Sequence, residues 1–204
     1  MSHDHEKTYD EVRFPDDMDL LERALRELLI EKGVFTQEEF SKQMSEVDKI
    51  TPTDGAKIVA RAWSDDSFKR ELIDDPKSAL AKMGYRVGAP EPNLAVVEQT
   101  DEVHYVVVCT LCSCYPRSLL GPPPEWYKSL EYRSRVVIDP RSILEEFGTK
   151  IDDDIEIKVL DSTADLRYFV LPKRPDGTEN YNEVDLAKLV SRDSMVGVTK
   201  AINP

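Results

Sequence analysis

The sequence predicts an α+β protein, with a helical first part over residues 1–90 and a mixed second part over residues 91–204. Three observations carry that prediction. Up to about position 83 the apolar residues recur at helical spacing. Beyond position 90 they gather into short β-branched runs. The proline-containing stretch APEPN (89–93) divides the two patterns as a turn or linker.

Residues 1–18 are polar and acidic and read as a flexible tail. In MDLLERALRELLIEKG, residues Leu21, Leu25, Leu28 and Leu29 share one helical face and Gly33 supplies the stop. Thr36-Gln37-Glu38-Glu39 has capping-box spacing and opens a second helix through Phe40 and Met44. A third begins near Thr53-Asp54 and carries Ile58, Val59, Ala62 and Trp63. A fourth runs from Ser67 to Met83 and is broken at Pro76. These helices hold no chemical constellation, so their apolar faces serve packing or partner contact. LAVVE, VHYVVV, IEIKVL (155–160) and RYFVL (167–171) then read as strands. Between them Asp139 caps a helix with Pro140 in its first turn, and Gly148 ends it after Ile143 and Leu144.

A net charge of −13 repels phosphate backbones and anionic lipid, which argues against nucleic-acid or membrane binding. No apolar stretch approaches the roughly 20 residues of a membrane span. The first residues show no apolar signal region, so the expected location is cytoplasmic, where cysteines stay reduced.

All three cysteines lie in CTLCSC, residues 109–114, at the end of an expected strand. A redox dithiol is one reading of C-x-x-C, but the preceding Trp and the Gly-Pro centre of such motifs are missing, and a third cysteine follows. A structural zinc site is another, but it wants four side-chain ligands, usually as two separated pairs. The histidines are His3 and His5 in the tail and His104 on a strand, where a packing or hydrogen-bonding role fits better than ligation. The remaining reading uses the spacing itself. In Cys112-Ser113-Cys114 an ion held by both sulfurs lies against the intervening amides, and Cys109 reaches it from an axial side. Three thiolates and two deprotonated amides, from Ser113 and Cys114, leave a sixth position open, as a catalytic metal requires. Such donors suit a trivalent Lewis acid, Co³⁺ or Fe³⁺, and electron-rich thiolates there are prone to oxidation.

The run VVVCTLCSCYP resembles the metal-binding α subunit of nitrile hydratase and the homologous γ subunit of thiocyanate hydrolase. GAKIVARAW (55–63), PPEWYKSLEYRSRVV (123–137), DSTADLRYFVLPKRPDGTE (161–179) and LVSRDSMVGV (189–198) extend the resemblance over most of the chain from about residue 20. It implies a layered α-β-β-α second part, with Cys109, Cys112, Cys114 and the amides of Ser113 and Cys114 as metal ligands. Cys112 would be the sulfinate and Cys114 the sulfenate, and these with Ser113 form the catalytic set. Thr110 resembles the cobalt-type members. Asp161 and Arg167 match residues that surround the ligands in the family; Asp165 stands where cobalt-type nitrile hydratases usually have Glu. Each acidic side chain reads equally as a solvated or salt-bridged one.

The motif departs from nitrile hydratase at Tyr115-Pro116-Arg117-Ser118, where a Trp-Pro pair is usual. Arg117 resembles thiocyanate hydrolase, where a cation suits an anionic substrate, while a carboxylate partner at a subunit interface is the alternative use. EYRSRVV, DSTADLRY and SRDSMVGV read more like nitrile hydratase. The resemblance implies a cobalt nitrile hydratase turning a nitrile into its amide, a β-type partner subunit in an obligate heteromer, and a cobalt-loading activator protein. Hydrolysis of thiocyanate to carbonyl sulfide and ammonia is the alternative reaction, and a zinc-structured or metal-storage interaction protein the alternative class.

Overall fold

The computed structural model describes residues 16–85 and 92–204, and in them the chain forms eleven helices and four strands. Of the expected tail, residues 1–15 lie outside the described residues, as do positions 89–91 of the expected linker; the backbone is already helical at Asp16. The chain divides into two compact units between Ile50 and Thr51.

The first unit contains α1 (Asp16–Glu31) and α2 (Gln37–Asp48). The expected capping box starts α2: the Glu39 carboxylate accepts from the Thr36 amide at 2.7 Å, and Thr36 Oγ1 accepts from the Glu39 amide at 3.1 Å. Phe35 stacks on Phe40, and the Arg26 guanidinium lies 4.9 Å from the Phe40 ring centre. Leu21, Leu25 and Leu28 on α1 are exposed.

The second unit opens with α3 (Pro52–Ser64), α4 (Asp66–Asp74) and α5 (Pro76–Lys82). Pro76 breaks the expected fourth helix in two, and Asp75 ends α4 and caps α5 through the Ser78 amide. The division expected at residue 90 falls inside this unit. Helix α3 packs against the later α6, α10 and α11, while α4 and α5 pack against β1. Helical periodicity in the sequence marks α3 to α5 as amphipathic but does not say what their apolar faces meet; here they meet the strand-bearing half. Gly55 allows the close approach, since a methyl group there would stand 2.5 Å from Leu120 Cδ2 and 2.7 Å from Met195 Sδ.

The four expected strands form as β1 (Asn93–Glu98), β2 (Val103–Val108), β3 (Glu156–Asp161) and β4 (Leu166–Leu171). They make two parallel ladders, β1 with β4 and β2 with β3, and β2 touches β4. The register pairs Val103 with Glu156 and Val108 with Asp161. A parallel pair needs a long crossover. The β2–β3 crossover carries α6 (Arg117–Leu120), α7 (Glu125–Lys128), α8 (Leu130–Arg135) and α9 (Pro140–Glu146). Val106, Val107 and Val108 are buried in succession, as a strand covered on both faces requires. Helices α10 (Glu183–Ala187) and α11 (Arg192–Val196) complete an α+β fold, the class the sequence predicts. Gly197 ends α11 at φ +90°, with its Cα so close to β2 that a methyl group would stand 2.0 Å from the Tyr105 carbonyl oxygen. Among the described residues no helix is long and apolar enough to cross a membrane.

Candidate metal centre

The chain leaves β2 at Val108 and turns at once through Cys109–Cys114, so the cysteines sit at the carboxyl end of a buried parallel strand. Open parallel sheets place ligands at such ends. Cys109 and Cys114 are buried and Cys112 is exposed. Cys109 Sγ lies 3.3 Å from Cys112 Sγ, which lies 3.0 Å from Cys114 Sγ, and all three sulfurs fall within 4.8 Å of one another. The Cys112 amide donates to Cys109 Sγ at 3.3 Å, which curls the loop inward.

With metal–sulfur bonds of about 2.3 Å, two thiolates stand about 3.8 Å apart at a tetrahedral angle and about 3.3 Å apart at a right angle. The Cys109–Cys112 spacing of 3.3 Å equals the right-angle value, and the Cys112–Cys114 spacing of 3.0 Å is shorter still. Among the described residues no histidine or carboxylate joins the three sulfurs. His104 is buried elsewhere, its Nε2 2.7 Å from the Gly197 carbonyl oxygen, with burial lowering its pKa. The three sulfurs are therefore close enough to share one ion, and among the described residues the fourth side-chain donor that a structural zinc site wants is not beside them.

Electrostatics push the two neighbouring thiols apart. Hydrogen bonding from Cys114 and Cys109 holds Cys112 below the ordinary thiol range. Burial first, then the bond to Cys112, lifts Cys114 to about 12, while the nearby Arg167 charge pulls it back. Arg167 Nε and Nη1 are themselves buried with no hydrogen-bond partner. A buried guanidinium with two open N–H groups beside a sulfur suits an additional anionic oxygen there.

Asp161, at the end of β3 and paired in register with Val108, grips the loop from below. One carboxylate oxygen accepts from the Thr110 amide at 2.9 Å and the other from Thr110 Oγ1 at 2.5 Å. Asp165 is exposed in the turn before β4, and its amide donates to Thr163 Oγ1 at 3.3 Å. Arg117 opens α6 immediately past the loop and is exposed, as are Leu111 and Cys112. At 90% exposure Leu111 presents an apolar side chain beside the sulfurs.

Three residues that sequence reasoning did not single out also hold the loop. Tyr127 Oη donates to the Cys114 carbonyl at 2.8 Å, Tyr132 Oη to the Val107 carbonyl at 2.7 Å, and Arg133 Nη2 to the Thr110 carbonyl at 2.7 Å. They come from the EWYKSLEYR stretch, where the family resemblance marks the segment and polar-tipped aromatics are the signal in the residues themselves.

The sequence model of the family described as nitrile hydratase, alpha chain, matches residues 16–199. The high-molecular-weight cobalt-containing nitrile hydratase subunit alpha of Rhodococcus rhodochrous is 46% identical over 184 residues, covering 89% of this chain and 90% of that one. The thiocyanate hydrolase subunit gamma of Thiobacillus thioparus is 42% identical over 192 residues, covering 89% of this chain and 79% of that one. Among solved structures, a double mutant of the iron-type nitrile hydratase from Comamonas testosteroni Ni1 superposes with a TM-score of 0.87 at 38% identity, over 94% of this chain and 93% of that one. With a match that runs through both units and a sulfur cluster at the strand end, the chain belongs to the nitrile hydratase alpha-chain family of enzyme subunits.

Proposed function

We propose that this chain is the metal-binding catalytic subunit of a cobalt-type nitrile hydratase, converting a nitrile to its amide. The observation that carries the proposal is the gathering of three cysteine sulfurs within 4.8 Å of one another at a strand end, in a chain closely related to cobalt-containing enzymes. Cys109, Cys112 and Cys114 hold the ion by sulfur and Ser113 and Cys114 by their amides, with cobalt(III) favoured over iron(III). When bound, low-spin cobalt supplies Lewis acidity toward the nitrile or water.

The chain's own groups do the rest. Cys112 carries a sulfinate and Cys114 a sulfenate, whose oxygen acts as nucleophile or base. Arg167, with two open N–H groups, neutralises charge beside Cys114. Asp161 fixes Thr110 and so the first turn of the loop; the carry-over of a similar part to Asp165 draws no support from its exposed position. The exposed side at Leu111–Ser113 faces the substrate and a β-type partner subunit, whose arginines donate to the oxidised sulfurs. A cobalt-loading activator protein delivers the ion.

One observation favours a second reading, the γ subunit of a thiocyanate hydrolase. Arg117 is exposed directly beyond the loop, with no ion pair among the described residues, and the thiocyanate hydrolase relative covers the same region. A cation at that place suits thiocyanate better than a neutral nitrile.

The test is the chain co-purified with its partner subunit. We expect one cobalt per chain and an intact mass raised by three oxygens, about 48 Da. Turnover of a small nitrile is expected; turnover of thiocyanate alone selects the second reading. Zinc with unmodified cysteines overturns both.

A further inference from the structure

The two tyrosine hydroxyls that meet the metal loop fall at its two ends. Tyr127 bonds the Cys114 carbonyl, where the loop leaves the sulfurs, and Tyr132 bonds the Val107 carbonyl, just before the loop begins. All three cysteines lie between those anchors. Both rings are fully buried and stand 5.9 Å apart centre to centre. Trp126 meets them edge-on at 5.8 and 4.9 Å, and Phe147 closes on Trp126 at 4.7 Å. The two rings are therefore held in a packed aromatic block outside the loop, and each reaches the loop by its own hydroxyl bond.

That matters because all three sulfurs gather within 4.8 Å of one another inside this one short turn, so its backbone sets their spacing. A six-residue loop with small side chains has little internal packing to resist spreading. Asp161 and Arg133 hold its first turn at Thr110, whereas the Tyr127 hydroxyl anchors the Cys114 end.

We propose that Tyr127 and Tyr132 are positioning residues that preset the bite of the three sulfurs through the loop backbone, before any ion arrives. The proposal rests on the metal reading of the same site. Each acts by fixing a carbonyl. Tyr127 has the larger effect, because its bond falls on a cysteine that supplies both a sulfur and an amide to the site. Supporting groups of this kind typically change metal affinity by about 10–100-fold when removed.

The test compares Tyr127→Phe and Tyr132→Phe with Trp126→Phe in the full chain, assembled with its partner subunit and loaded with cobalt. The phenylalanine replacements keep the rings and remove the hydroxyls, whereas Trp126→Phe thins the same block and keeps both hydroxyl bonds. Three quantities are read: cobalt release to a chelator, the sulfur-to-metal charge-transfer absorption, and the melting temperature. Tyr127→Phe is expected to release cobalt about 10–100-fold faster with a shifted absorption band, and Tyr132→Phe to follow with a smaller change. Trp126→Phe is expected to lower the melting temperature and leave release and absorption at wild-type values. Wild-type release and absorption in both tyrosine variants overturn the proposal, as does a Trp126→Phe change of equal size. If Tyr127→Phe fails to fold, Tyr132→Phe carries the comparison; failure of both assigns the hydroxyls to the fold and likewise overturns it. A wild-type assembly that takes up no cobalt overturns the metal reading itself, a separate result from indifferent variants in a loaded enzyme.

Discussion

Helices α1 and α3 carry the same kind of sequence pattern and meet different fates. Leu21, Leu25 and Leu28 of α1 share a helical face and stay exposed, while Ile58, Val59, Ala62 and Trp63 of α3 share one and are buried. The difference is what each face meets. Around α3 the chain folds back from far along the sequence to supply α6, α10 and α11. The contrast teaches that periodicity specifies a helix and its apolar side, whereas burial depends on a partner that the local sequence does not contain. It also bears on the site, since the buried face of α3 belongs to the unit that carries the cysteine loop.

The sharpest way to break this contrast is to truncate one residue on each helix. Ile58 has no exposed surface, and Ile58→Ala is expected to cost about 2–5 kcal/mol in chemical denaturation of the isolated chain. Leu25→Ala is expected to stay within about 0.5 kcal/mol, because the side chain is exposed and alanine is a good helix former. Equal costs would remove the distinction between the faces. A cost at Leu25 that emerges only on assembly with the partner subunit would sharpen it, by marking that face as a contact.

A smaller effect separates how the two helices are tied down. Trp63 Nε1 donates to the Pro172 carbonyl oxygen at 2.8 Å inside the core, and Arg174 Nη1 returns a bond to the Trp63 carbonyl at 2.7 Å. Trp63→Phe removes the donor and leaves the buried Pro172 oxygen short of a partner, for an expected loss of about 1–3 kcal/mol. Cobalt uptake should be unchanged, because the bond lies on α3 and touches no part of the loop. A variant that folds normally yet loses the metal would show that the packing of α3 reaches the sulfurs.

What the sequence disclosed follows the same division between local and distant causes. The long helices, the four strands and the sulfur cluster were readable because each is written in a run of neighbouring residues: leucine spacing in α1, β-branched runs in β1 to β4, three cysteines in six positions. Helices α6, α7, α8, α10 and α11 were not, since four to six residues are too few to show a period. The change of pattern near residue 90 is local, whereas the division into compact units at Ile50 depends on α3 meeting α10 and α11 more than a hundred residues on and on α4 and α5 meeting β1. Around the loop, Asp161 and Arg167 were reached through family resemblance, and Asp161 proved to grip Thr110 across 51 positions of sequence. Tyr127, Tyr132 and Arg133 carry no chemistry of their own and act 13 to 25 positions away, so nothing in their residue type announces the role.

The smallest expected effect is one of acidity, and it also divides the two units. His104 is the one histidine among the described residues, and it lies in the second unit. It is buried on β2, with the Gly197 carbonyl oxygen and the Gln99 amide at its Nε2 and the Lys200 charge nearby. Burial lowers its pKa, the bond to Gly197 opposes that shift, and Lys200 reinforces it. The unfolded chain therefore takes up a proton near the ordinary value of about 6.5 while the folded chain remains neutral. Between the folded value and about pH 6.5 the unfolded state holds more protons, so the histidine lowers stability as the pH falls through that window, by at most about 1.4 kcal/mol per pH unit. Below the folded value its contribution levels off. In His104→Gln the second unit should lose less stability between pH 6.5 and 5 than the wild type does, as read from denaturation midpoints, with the helicity of the first unit following the same course in both. Identical acid profiles for the second unit would mean that His104 is protonated in the fold as readily as outside it, and that the Gly197 contact outweighs burial.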